Sequence, residues 1–160
     1  MTSMSESKWY RSLIEKEAAQ DPPLDPDLVE AIVRVESSGL AHAYRYEPAF
    51  WQRYLADNPD YRNMNPRRAS ASYGLMQVMY PTAVERGLAR RADPEVLFQP
   101  FYSLLYGCEH LRRLLAWSKG NVDQALAAYN GGKAGNSKPP YRNRGYVEKV
   151  HAALAQIKKE

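Results

Sequence analysis

The chain has 160 residues and a mass of 18.2 kDa, enough for one domain with a substantial core and too few for two. Apolar residues at 44% and charged residues at 25% exclude a disordered tail or a collagen-like protein, and a single cysteine, Cys108, excludes a disulfide framework and a cysteine-rich zinc site. The net charge of +4 is unevenly spread: residues 1–36 sum to −4, residues 61–91 to +5 and residues 131–149 to +4, which fits either a salt-bridged surface or a basic face for an anionic polymer.

The stretch Met1 to Gln20 is polar and charged, without the apolar run of a signal peptide, and no later stretch is apolar over a membrane-spanning length. A first helix is predicted from Ser7 to Gln20, ended by Asp21-Pro22-Pro23 because proline disfavours helical geometry in the residue before it. Residues 1–24 thus read as an N-terminal helix and linker, packed on or preceding a domain over 25–160. The second helix has Asp25 as N-cap, Pro26 in its first turn and Gly39 as its stop. A short helix is predicted from Pro48 to Leu55, then an Asn- and Pro-rich connection through Arg68, then a helix opened by Pro81. Phe101, Leu104, Leu105, Cys108, Leu111 and Leu115 recur at helical spacing, interrupted by Arg112, and mark a buried central helix. Asn121 and Gln124 resemble a capping box for a helix closed by Asn130-Gly131-Gly132, and Tyr146, Val150, Leu154 and Ile157 mark the last helix. Strand signals are nearly absent, so the expected fold class is all-α.

One residue breaks the pattern. On a wheel advancing about 100° per residue, with Leu28 at zero, Ile32 falls at about 40°, Glu36 at about 80° and Val29 at about 100°. An acid therefore occupies the apolar face, one turn from the helix end. Burial of an unpaired carboxylate is costly, so a raised pKa is expected, and a carboxyl protonated near neutral pH is what general acid catalysis needs. The structural alternative is a glutamate that turns outward at the helix end or pairs with Arg34.

Four elements in this order, Glu36-Ser37, Gly74-Leu75-Met76-Gln77, Ala128-Tyr129-Asn130 and Tyr146, resemble the soluble lytic transglycosylase (SLT) catalytic domain, a goose-type lysozyme-like helical fold with a substrate groove that acts on bacterial peptidoglycan. The resemblance runs from Leu28 to Leu154. It implies Glu36 as catalytic acid/base, with support from Ser37, Tyr129 and Tyr146, and substrate contacts at Gly74, Leu75, Met76, Gln77 and Asn130. Ser37 is then expected beside the N-acetyl or lactyl region, Met76 and Gln77 against N-acetyl sugars, and Tyr146 hydrogen-bonded to the acid. The implied reaction cleaves the β-1,4 bond between N-acetylmuramic acid and N-acetylglucosamine and leaves a 1,6-anhydromuramyl end. It consumes no water and needs one carboxylate.

The 38 positions from Glu36 to Gly74 exceed the compact family pattern and hold Tyr44, Tyr46, Phe50, Trp51 and Tyr54 with Glu47, Asp57 and Asp60. Tyr44 and Tyr46 are candidate sugar contacts. The three acids are either exposed loop residues or the source of a second carboxylate that positions water, as in goose-type lysozymes, which would make the reaction a hydrolysis. His42, His110 and His151 lack metal-ligand spacing, and Cys108 falls on an apolar helix face. No cofactor or metal is expected. The expected partner is the peptidoglycan glycan strand, met by a monomer without membrane insertion. A non-catalytic glycan-binding module and a nucleic-acid binder are the competing classes, the latter disfavoured for want of a recognised motif. The substrate lies in the periplasm or cell wall, so the absence of a signal peptide points to a phage endolysin, a virion-associated protein or a chain whose leader has been removed.

Overall fold

Helix α2 (Pro26–Ser37) forms where its signals predict. Asp25 is extended and accepts a hydrogen bond from the Asp27 amide, Pro26 occupies the first turn, and Ser38, at φ 54°, ends the helix one residue before Gly39. In the computed structural model, which describes residues 4–160, Leu28, Val29, Ile32 and Val33 of this helix are buried at the centre of the core. The fold is mainly helical, in agreement with the expected class.

The first and last helices of the chain pack directly on α2, with two further helices beyond them. Helix α1 (Met4–Ala18) buries Tyr10, Ile14 and Ala18 in the same core cluster, and residues 1–3 of the N-terminal segment lie outside the described residues. The predicted central helix is α6 (Pro100–Trp117), which packs on α1 and on α7 (Val122–Gly131). Leu104, Cys108 and Leu111 are buried as expected, whereas Phe101, at the first turn, is 54% exposed. Helix α8 (Arg144–Lys159) lies along α2 and buries Tyr146, Val147 and Val150. Only half of the predicted capping box forms: Asn121 accepts from the Gln124 amide, while the Gln124 side chain donates to the Ser137 carbonyl instead.

Arg112, the interruption in the apolar stripe of α6, is buried, and its guanidinium ties three carbonyls at and just past the end of α1 to the central helix. Nε donates to the Pro22 carbonyl at 2.8 Å, and one terminal nitrogen donates to the carbonyls of Glu17 at 2.6 Å and Gln20 at 3.4 Å. The Glu17 carboxylate lies 3.5 Å from the other terminal nitrogen. A second ionic cluster holds α1 and α8 to α2. Buried Glu30 receives Arg11 at 2.9 Å and Arg34 at 2.6 Å, and Arg34 also binds Glu160 at 2.8 Å.

A small antiparallel sheet, absent from the sequence reading, forms the other wall. Its order is β1 (Tyr44–Tyr46), β2 (Ala71–Tyr73), β3 (Val78–Met79), with Tyr44 opposite Tyr73 and Tyr73 opposite Val78. Strands of two or three residues are too short to show alternation, and all three residues of β2 are buried. Between β1 and β2 the expected short helix appears as α3 (Pro48–Phe50) running into a π-helical turn, Trp51–Leu55. The Asn-rich connection ends in α4 (Pro66–Ala69), capped by Asn65. Helix α5 (Tyr80–Glu85) begins at Tyr80 with Pro81 in its first turn, and a 3₁₀ turn over Pro94–Phe98 leads into α6.

Arg112→Leu removes the guanidinium donors to the three carbonyls and strands the Glu17 carboxylate. We expect a loss of about 3 kcal/mol or more in urea unfolding. Arg112→Lys should recover only a part, since one ammonium cannot reproduce the planar fork.

Candidate active site

Glu36 lies in the last turn of α2, half-buried between α8 and β1. Removal from water pushes its carboxyl up to about 7. The Tyr146 hydroxyl and the Arg45 charge oppose this rise, and the Glu47 charge adds to it. Tyr146 Oη lies 3.5 Å from Glu36 Oε2, at the outer limit of a hydrogen bond, and burial holds the phenol protonated as a donor. Arg34, the alternative partner for Glu36, is committed to Glu30 and Glu160.

The turn beneath the acid is built from Gly74 to Gln77. Gly74 has φ 77°, and a Cβ there would overlap the Leu97 carbonyl, so glycine is required twice over. Ser37 Oγ donates to the Leu75 carbonyl at 2.8 Å, Met76 N donates to Ser103 Oγ at 3.0 Å, and Tyr129 Oη donates to the Met76 carbonyl at 2.7 Å. The turn is thus pinned to α2, α6 and α7 at once.

These bonds alter the expected roles. Gly74, Leu75 and Met76 are buried, with Leu75 and Met76 wholly so. The side chain of Met76 fills the space over Gly107 and meets Cys108 Sγ at 4.0 Å. The Leu75 and Met76 side chains fill the core behind the turn. Gln77, at φ 51°, spends its amide nitrogen on the carbonyls of Ala43 at 3.0 Å and Gly74 at 3.1 Å, which leaves its amide oxygen as the end available to a ligand. Ser37 is buried and its hydroxyl is engaged within the protein, so it positions the helix end rather than facing a sugar. Tyr129 likewise gives its hydroxyl proton to the Met76 carbonyl and not to Glu36, although it lies close enough for the Glu36 charge to act on it.

Asn130 is exposed and its Oδ1 accepts from Asn143 Nδ2 at 2.8 Å. Asn143 Oδ1 accepts from Asn136 Nδ2 at 2.9 Å, and Asn136, wholly buried, also donates to the carbonyls of Gly132 and Ala127. This chain of carboxamides fastens the end of α7 to the start of α8, and with it Tyr129 to Tyr146. An added Cβ at Gly131 would overlap the Asn143 carboxamide.

Of the three candidate second acids, Glu47 is the one brought to Glu36. It forms an ion pair with Arg45 at 3.2 Å. Asp60 is instead paired with Arg90 at 2.9 Å, and Asp57 is exposed on the turn after the π-helical segment. Tyr44 is exposed and its hydroxyl donates to the Arg67 carbonyl, while the Arg67 guanidinium lies 4.8 Å from the Tyr46 ring centroid. Cys108 is buried, and burial pushes its thiol up to about 12, so it is an inert core group. Among the described residues no three His, Cys, Asp or Glu side chains are grouped to hold a metal, and no helix is long and apolar enough to cross a membrane.

Sequence reasoning missed Arg45, Ser103, Asn136 and Asn143. Arg45 and Glu47 had a signal: in an extended Tyr44-Arg45-Tyr46-Glu47 segment, positions two apart share a face. Asn136 and Asn143 had none, because an asparagine in a Gly-, Pro- and Lys-rich loop reads as a turn residue.

The raised acid carries a thermodynamic consequence. Below about pH 4.5 Glu36 is protonated in both the folded and unfolded states and costs nothing. Between its ordinary value and about 7 the unfolded chain ionises it while the folded chain does not, so stability falls as pH rises through that window. Glu36→Gln should therefore be more stable than the parent at pH 8, by on the order of 1–3 kcal/mol, and equal to it near pH 4. Urea unfolding at the two pH values checks this.

No solved structure matches the chain with significance. The Transglycosylase SLT domain family does match, over residues 13–150, a span that includes Glu36, the Gly74–Gln77 turn, Tyr129 and Tyr146. With a match over that much of its length and a mainly helical fold built around a half-buried acid, the chain belongs to the SLT transglycosylase domain family, whose members are peptidoglycan-degrading enzymes that cleave glycosidic bonds.

Proposed function

We propose that the protein is a lytic transglycosylase that cleaves the β-1,4 bond between N-acetylmuramic acid and N-acetylglucosamine with Glu36 as general acid and then base. The observation that carries this reading is the Glu36 carboxyl, held at about 7 by burial with a phenol donor beside it. Protonated Glu36 gives its proton to the leaving glycosidic oxygen as the anomeric bond breaks and positive charge builds on the muramyl ring. The resulting carboxylate takes the proton of the muramyl 6-hydroxyl as that oxygen bonds to the anomeric carbon. Glu36 ends protonated, no water is consumed, and the product carries a 1,6-anhydro bond. Tyr146 supports the intermediate state, since its hydroxyl donates to the carboxylate form.

Glu47 favours a second reading. Its charge reaches Glu36, and a carboxylate there would activate water for hydrolysis. The Arg45 ion pair works against that role by drawing the Glu47 carboxylate toward a cation.

Digestion of purified sacculi followed by mass spectrometry of the muropeptides separates the two. Anhydromuramyl ends are expected; reducing ends would make the enzyme a muramidase and overturn the transglycosylase reading. Glu36→Gln should lower turnover by about 10²–10⁴-fold. Since the acid must be protonated, activity is expected to fall as pH rises through about 7. Removal of the neighbouring charges should move that limb in opposite directions: Glu47→Gln to lower pH, Arg45→Ala to higher pH. A limb that moves with neither variant would separate the pH dependence from Glu36.

A further inference from the structure

His110, on α6, lies against the Tyr129 ring, with centroids 5.5 Å apart, and Tyr129 is itself close enough for the Glu36 charge to act on it. Arg86, just past α5, donates from Nε to His110 Nδ1 at 3.3 Å. That bond requires an unprotonated Nδ1, and burial together with the Arg86 and Lys133 charges pushes the imidazole down to about 4, so the ring is neutral with its proton on Nε2. Lys133, just past α7, completes the group, with its ammonium 5.4 Å from the Trp117 ring centroid.

Most other arginines of the central basic stretch are accounted for in different ways. Arg68 is bound by Glu95 and Asp93, Arg90 by Asp60, and Arg67 lies over Tyr46. Arg86 and Lys133 form no ion pair among the described residues, and the terminal nitrogens of Arg86 have no hydrogen bond there either. The charges that act on His110 are both positive, with no carboxylate to offset them. Two cations held about a neutral imidazole that accepts from one of them, without an ion pair of their own among the described residues, form an arrangement that an anion would satisfy.

We propose that Arg86, His110 and Lys133 form a carboxylate-binding subsite beside Tyr129 that engages an acidic substituent of the glycan strand. The planar guanidinium, held through its Nε by His110 Nδ1, offers its two terminal nitrogens to the carboxylate, and the ammonium supplies a second charge. The carboxylate comes either from a peptide stem or from the lactyl group of a stem-free muramyl residue. This subsite rests on the glycan-cleaving reading above and deepens it by naming the charge on the substrate.

The test measures binding in the Glu36→Gln background, so that ligands are not turned over. Three probes are compared by calorimetry: a neutral N-acetylglucosamine oligomer, a peptide-free glycan strand with lactyl carboxylates, and a strand bearing peptide stems. Carboxylate-bearing strands should bind about tenfold more tightly than the neutral oligomer, and the preference should shrink as salt is raised. Whichever of the two acidic strands binds better identifies the source. Adding Arg86→Ala and Lys133→Ala should abolish the preference while neutral-oligomer affinity stays within about twofold, and Arg86→Lys with Lys133→Arg should restore part of it. Equal affinity for neutral and acidic strands, or a preference that survives the double alanine variant, overturns the subsite and leaves the glycan reading standing. Failure of all three probes to bind overturns both.

Discussion

A carboxyl group kept out of water at the end of a helix must be enclosed from several directions, and much of this fold is that enclosure. Helix α2 presents Glu36 on its apolar side, α8 lays Tyr146 against it, and β1 with the residue that follows it brings Arg45 and Glu47. The turn from Gly74 to Gln77 closes the floor through the bond from Ser37 to the Leu75 carbonyl. Each of these parts is anchored elsewhere: α1 to α2 through buried Glu30, the end of α8 to α2 through Arg34, the turn to α6 through Ser103, and α7 to α8 through three asparagines. Desolvation of one acid is the sum of these attachments, which is why the groups that control it are scattered over the chain.

The helical part was legible in the sequence because long amphipathic helices carry their signal in side-chain spacing. Helices α2, α6, α7 and α8 follow from capping residues and apolar periodicity, and the misplacement of Glu36 on the wheel of α2 was visible for the same reason. The sheet was not, since Ala71-Ser72-Tyr73 and Val78-Met79 are too short for a period to register and are held by pairing between distant segments.

At the candidate site, residue types in the sequence do not show the directions of their side chains. Leu75 and Met76 belong to the groove segment yet face the core, and the Ser37 and Tyr129 hydroxyls serve backbone carbonyls. A hydroxyl finds whichever acceptor the fold leaves unpaired, and those acceptors are known only once the turn from Gly74 to Gln77 exists. The same limit applies to Arg112, whose position in an apolar stripe looked like an irregularity and is instead a cap for carbonyls 90 residues away.

The bond between Tyr146 and Glu36 spans 110 residues. Long-range contacts of this kind require closure of a large loop before they contribute, so they form late in folding. As the chain emerges during synthesis, α2 appears early, but the apolar cover that α8 lays over Glu36 does not yet exist. Until α8 is made and docked, the carboxyl lacks one side of its enclosure and the Tyr146 hydroxyl beside it. The enclosure of Glu36 is thus completed only with the docking of α8, and a chain cut before Arg144 would carry the acid without its Tyr146 partner.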